Sequence, residues 1–180
     1  ENLLAEQTED TGAQARKAKG AFYTPREIVD YMCRESLRAH IAERLHNDER
    51  KDKILGLLFD KKEHEFDTRN DRATLAPYKK EVMDSLDSLK ALDPACGSGA
   101  FPMGMLQLML GLYERLEARF DPYKTKLQII KNNLYGVDIE PMAVEISRLR
   151  AWLSILVDEE LNPKAKNMGI EPLPNLDFKF

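Results

Sequence analysis

The run Asp93-Pro94-Ala95-Cys96-Gly97-Ser98-Gly99-Ala100-Phe101 constrains this chain more than any other feature. A short apolar stretch, 89–93, precedes it, and a long apolar-rich pattern, about 100–120, follows it. That order predicts a strand, a tight turn and a helix. Gly97 and Gly99 allow a sharp chain reversal and carry no Cβ. A ligand at the carboxyl end of the strand can therefore lie against bare backbone. Asp93 adds a carboxylate to the same crevice, where it can accept from an ammonium group. A carboxylate is a poor companion for a pyrophosphate. Phe101-Pro102 also stands where the fingerprint G-x-G-x-x-G needs its third glycine, and no Gly-Lys-Ser/Thr follows. The turn thus fits neither a dinucleotide nor a Walker phosphate loop.

A second short strand is expected over 134–138, ending in Asp138, with Pro141 opening a helix to about Val157. Strand, glycine turn, helix, strand, helix is a βαβα unit, which implies a parallel sheet covered by helices. In a right-handed unit the second strand lies beside the first, so Asp138 comes near the glycine turn. There it can accept both hydroxyls of a ribose, with Ile139 as an apolar wall for a base; the competing role is a helix N-cap before Pro141. The span from Gly99 to Asp138 is wider than the roughly 20 residues of a nicotinamide site, so the connection should hold a long helix and a second, short one. Residues 175–180 read as the start of a third strand.

Ahead of this unit, 1–19 reads as a linker or irregular helix ending in Arg16, Lys17 and Lys19. Ile28, Val29, Met32, Leu37, Ile41 and Leu45 then recur at helical spacing. Thr24 with Glu27 predicts a capping box, and Pro25 suits the first helical position. Residues 46–88 are highly charged with a weak apolar rhythm, predicting a helical insert with a solvated face and a loop near 67–77. Its reading is a spacer. The expected division is 1–19, a helical part over 20–88, and an α/β part over 89–180 that is incomplete at its C-terminus.

Net charge is −4, so general attraction to a polyanion is excluded and any nucleic-acid binding must be local or come from elsewhere. Two cysteines form no metal spacing or disulfide framework, which suits a reducing cytosol. The longest apolar stretch, 101–113, is too short to span a membrane, and the chain opens without a secretion leader. A cytoplasmic location is expected. His40, His46 and His64 are expected at the surface, and Trp152, Met103, Met105 and Met109 in the core.

Three segments carry a family resemblance. Asp93–Phe101 resembles motif I of the amino-group DNA methyltransferases. Gly20-Ala21-Phe22-Tyr23-Thr24-Pro25 resembles their motif X, in the class that places it ahead of motif I. Tyr135-Gly136-Val137-Asp138-Ile139-Glu140-Pro141 resembles motif II. Three motifs in order discriminate better than any one. The whole is most similar to the adenine-N6 methyltransferase domain of type IIG restriction–modification enzymes, with the methylation subunit of type I systems second. The resemblance covers roughly residues 15–160.

It implies a Rossmann-like methyltransferase, here the start of a doubly wound sheet with a helical N-terminal part. It implies S-adenosyl-L-methionine as cofactor, double-stranded DNA as partner, and no metal. Tyr23, Thr24 and Pro25 would meet the methionine end, and Phe22 would belong to the same cofactor-binding set. Asp93, Pro94, Ala95, Cys96, Gly97 and Gly99 would hold methionine and ribose. Asp138 would bind the ribose, with Ile139 against adenine; Phe101 is either an adenosine contact or core. Cys96 would lie buried beside the ligand rather than act as a nucleophile.

Such enzymes transfer the methyl group with an Asn-Pro-Pro-aromatic loop, which localises the amine lone pair and stacks the flipped base. Asn162-Pro163 is followed by Lys164-Ala165 and reads as a turn. The expectation is a cofactor-binding piece without catalytic residues of its own, inactive alone, and prone to self-association or partial disorder because its helices carry more apolar surface than two strands can cover. A Rossmann-like nucleotide-binding or regulatory module is the alternative.

Overall fold

The computed structural model describes residues 24–45, 48–117 and 119–157. Phe22 and Tyr23, His46, and the expected third strand lie outside them. Seven α-helices and one parallel strand pair are described: α1 (Arg26–Arg44), α2 (Lys51–Leu55), α3 (Asn70–Leu75), α4 (Lys79–Ser88), β1 (Ala91–Asp93), α5 (Ala100–Leu116), α6 (Pro122–Asn132), β2 (Leu134–Gly136) and α7 (Pro141–Leu156). A π-helical turn, Gly56–Asp60, continues α2, and short 3-10 turns flank α3. The chain is mostly helical around a two-stranded sheet, as an α/β arrangement allows.

The start of α1 and the exposure of two of its apolar residues depart from expectation. Pro25 is its N-cap, with ψ 145°, and its carbonyl accepts from the Ile28 and Val29 amides. That extended ψ starts the helix one residue late. Glu27 then sits at N2, not N3, and the capping box does not form. The buried stripe is Val29, Cys33, Leu37 and Ile41, a strict four-residue step continued by Leu45. Ile28 and Met32 are about half exposed (48% and 49%), because α1 packs on α4 and α5 along one side only.

The charged stretch before the sheet is helical, as read, but it is not a spacer. Ile54, Leu55, Leu58, Phe59, Leu75, Val82 and Leu86 are buried in the same core as α1 and α5. The expected loop over 67–77 is instead α3 and a 3-10 turn. Asp67 organises it, accepting from the Arg69 and Asn70 amides at 2.9 and 3.0 Å. His40 is half-buried, its Nε2 3.2 Å from the Ser85 carbonyl oxygen, whereas His64 is exposed.

β1 and β2 pair in parallel with Ala91 opposite Leu134, Leu92 opposite Tyr135 and Asp93 opposite Gly136. The connection between them is the long helix and short helix that the spacing requires. The short one starts at Asp121-Pro122: the Asp121 carboxylate accepts from the Lys124 amide at 3.1 Å, and Pro122 takes the first turn. Asn133, fully buried, ties the strands to α4. Its Nδ2 donates to the Leu86 and Leu89 carbonyls, both at 2.8 Å, and its own carbonyl accepts from Ala91 N at 2.8 Å.

α5 carries the central core, with Met105, Leu106, Met109 and Leu112 buried, while Met103 is partly buried against it. α7 is less buried than its composition suggests. Only Ser147, Ala151 and Ile155 are enclosed; Trp152 is half-buried, and Met142, Leu149 and Leu153 are exposed. Among the described residues no helix is long and apolar enough to cross a membrane.

Candidate functional site at the two strand ends

The ladder continues past the strands and knots the two motif-bearing segments together. Val137 N donates to the Asp93 carbonyl at 2.9 Å, and Cys96 N donates to the Val137 carbonyl at 2.9 Å. Asp138, one residue on, accepts from Gly97 N through Oδ2 at 2.8 Å. Its Oδ1 accepts from Glu140 N at 2.9 Å, the local bond that opens the turn into α7. The glycine turn and Asp138 are thus directly joined at the carboxyl ends of the two strands. Each oxygen of an ionised carboxylate keeps a second lone pair beyond these amides, so Asp138 retains acceptor capacity for hydroxyl groups.

The two glycines divide the work. Both have positive φ, +52° at Gly97 and +84° at Gly99. A Cβ at Gly97 would meet nothing within 4 Å, so this side of the turn is open to an approaching group. A Cβ at Gly99 would collide with the Ser147 hydroxyl and lie 3.2 Å from its Cβ. Gly99 therefore serves the close approach of α7 and the start of α5, whose N-cap it is.

Asp93 orders the turn through Oδ1, which accepts from Ala95 N at 3.1 Å. Its Oδ2 is buried and has no hydrogen-bond partner. A buried carboxylate oxygen left without a donor costs free energy on the order of 1–3 kcal/mol or more. A ligand ammonium or hydroxyl would satisfy it. Pro94 and Ala95 are exposed, and Ile139 is 94% exposed beside Asp138, an apolar side chain standing free at the rim. Leu92 and Val137 are exposed on the same strands. Phe101 is partly buried against the core. Cys96 is buried, its thiol pushed up by burial and then by the charges of Asp93 and Asp138, so it is a poor nucleophile.

Thr24 and Pro25 reach this region through α1. Val29 and Cys33 straddle Gly104 of α5, whose added Cβ would come within 2.6 Å of Val29 Cγ1, and Cys33 Sγ lies 3.7 Å from the Phe101 carbonyl oxygen. Further along α1, Arg34 and Arg38 bind Asp60, next to Lys61, whose carbonyl accepts from Arg115 near the far end of α5. The two helices thus run in the same sense, which sets Thr24 and Pro25 at the glycine-turn end of the molecule. Two contacts escaped the sequence reading. Ser147 and Arg150 of α7 both face the glycine turn, Arg150 Nη1 donating to the Ser98 carbonyl at 2.9 Å. Their three-residue spacing after a proline-led start puts them on one helix face, the only signal available beforehand.

Residues 66–176 match the family described as MmeI, DNA-methyltransferase domain. The chain belongs to this methyltransferase family. It is also 36% identical, over 98% of its length, to a Methanocaldococcus jannaschii protein named as a candidate type II restriction enzyme and methyltransferase, of which the match covers 15%. The adenine-specific methyltransferase BrxX of Escherichia coli is 27% identical over 69% of this chain and 10% of that protein. The adenine-specific methyltransferase PglX of Streptomyces coelicolor is 37% identical over 46% of this chain and 7% of its own. The methyltransferase domain described above therefore spans a small part of each of these relatives. No solved structure matches it.

Proposed function

We propose that this methyltransferase domain binds S-adenosyl-L-methionine at the two strand ends and belongs to an enzyme that methylates adenine N6 in double-stranded DNA within a restriction–modification system. The observation that carries the reading is the Gly97–Asp138 bond, which joins an open glycine turn to an acid at the neighbouring strand end. The unpartnered Asp93 Oδ2 supports it, since the cofactor's ammonium would supply the missing donor. Asp138 would take the ribose hydroxyls on its remaining lone pairs, and Ile139 would flank the adenine. Cys96 would contribute its backbone, and Phe22, Tyr23, Thr24 and Pro25 would close over the methionine end. When bound, the sulfonium supplies an activated methyl group, so no metal is needed to polarise it.

In this reading the two strands begin a doubly wound, Rossmann-like sheet. The helical part over 20–88 buttresses the site, and the part over 89–180 builds it. No Asn-Pro-Pro-aromatic run occurs in these 180 residues. Base positioning and methyl transfer are therefore assigned to residues beyond them, and the enzyme would work on DNA in the cytoplasm.

Calorimetric titration of the 180-residue chain with S-adenosyl-L-methionine, NAD and ATP tests the cofactor assignment. Saturable binding of the first alone is expected, and Asp138→Ala should weaken it at least tenfold. Preference for NAD or ATP, or binding indifferent to Asp138→Ala, would overturn the assignment.

A further inference from the structure

The proposed site lies at the ends of β1 and β2, yet the glycine turn is held from outside by a third element. Arg150 of α7 lies 52 residues beyond Ser98, and its Nη1 donates to the Ser98 carbonyl at 2.9 Å and approaches the Ser98 hydroxyl oxygen at 3.4 Å. Ser147, one helical turn earlier, is fully buried against Gly99. Ser98 is the residue between the two positive-φ glycines. Rotation of the peptides around it would re-aim every amide that the turn offers. Gly97 N is fixed by Asp138 and Gly99 N by the Cys96 carbonyl at 2.8 Å. Arg150 adds a second restraint to the Ser98–Gly99 peptide, holding its carbonyl end as Cys96 holds its amide end.

We infer that Arg150 is a positioning residue for the cofactor site: with Ser147 packed against Gly99, its guanidinium locks the Ser98 peptide and so pre-forms the turn that receives the ligand. This rests on the cofactor assignment above. A pre-formed turn saves the ordering of about one residue on binding, which corresponds to roughly a 5- to 30-fold gain in affinity. Arg150 is exposed and Ser98 is a loop residue, so the effect should fall on binding rather than on folding. Lysine can place only a point donor near the carbonyl, so it should restore part of the effect.

The experiment compares the full chain with its Arg150→Ala and Arg150→Lys variants, each titrated with S-adenosyl-L-methionine and with 5′-methylthioadenosine, which lacks the amino-acid group. Arg150→Ala should raise both Kd values by the same factor, about 5- to 30-fold, with Tm unchanged and partial recovery in Arg150→Lys. A loss confined to S-adenosyl-L-methionine would overturn the inference, since the guanidinium would then be pairing with the ligand's carboxylate. Unchanged Kd values would overturn it too. If the unmodified chain binds neither ligand, the cofactor assignment fails by itself, and ligand-free amide exchange decides the clamp. Faster exchange at residues 97–100 in Arg150→Ala supports it; unchanged exchange refutes it.

Discussion

Cys33 packs between α1 and α5 with its thiol pushed up to about 11, chiefly by burial and then by the charges of Asp30 and Asp93. Its ordinary value is 9.0. Above that pH an unfolded cysteine sheds its proton while the folded one keeps it, so unfolding releases a proton. Rising pH then favours the unfolded chain until the native thiol titrates near 11. Urea unfolding at pH 8 and pH 10.5 should show the unmodified chain losing on the order of 2 kcal/mol more than Cys33→Ala. Equal losses would mean that the thiol is not protected. Asn133 makes a second case at this scale. Its side-chain amide donates to the Leu86 and Leu89 carbonyls, of which Leu86 also accepts from Leu89 N at 3.3 Å. Asn133→Ala should cost about 1–3 kcal/mol, and Asn133→Asp more, because a carboxylate would face those carbonyls. If Asp were the milder change, the donor role would be wrong. Sequence could not find Asn133: an asparagine between helix and strand looks like any turn residue until its partners on α4 are seen. Asp138 was legible because a strand-end acid following a glycine turn has few other places to go.

The turn from β1 into α5 separates two glycines that look equivalent in sequence. Both adopt positive φ, which costs an L residue roughly 1–2 kcal/mol. Beyond that shared cost only Gly99 is sterically trapped, by Ser147 of α7. In thermal unfolding Gly97→Ala should be the mild variant, and Gly99→Ala should lose clearly more than the shared strain. Pairing Gly99→Ala with Ser147→Gly should recover the steric part and leave the strain. No recovery would show that the collision is not with Ser147. Element order was readable because the period of apolar residues changes where strand gives way to helix. The connecting pair of helices followed from the 38 residues between Gly99 and Asp138. Helix starts were less readable. Thr24 has the composition of a cap, but the ψ of Pro25 moved the first turn one residue on. Asp121-Pro122 carried an equally good signal, and there the cap forms.

At the scale of the molecule, the charged stretch before the sheet proves inseparable from the helix that follows the glycine turn. Arg115 of α5 sends its guanidinium into the end of the π-helical turn, donating to the Leu57, Leu58 and Lys61 carbonyls at 2.7, 3.0 and 2.6 Å, and it lies over the Phe66 ring. In return Arg72 of α3 donates to the Glu114 and Arg115 carbonyls at the end of α5, at 2.8 and 3.1 Å. Hydropathy could not reveal this, because it scores arginine as solvated surface, whereas here the guanidiniums satisfy the carbonyls where helices stop. Burial accordingly lowers the pKa of Arg115, the charges of Glu63, Asp71 and Glu114 pull it the other way, and an arginine keeps its proton at neutral pH in either case. Arg115→Met keeps the length of the side chain but leaves three carbonyls without their donor, so a loss of about 2–4 kcal/mol is expected. Trp152, the single tryptophan, lies on α7, a different helix from those that carry this network. With one shared core, its emission and the far-UV ellipticity should follow a single urea transition. In Arg115→Met that transition should move to lower urea by both probes together. A spacer would behave otherwise: ellipticity would shift while the Trp152 transition stayed in place, and that split would refute a common core.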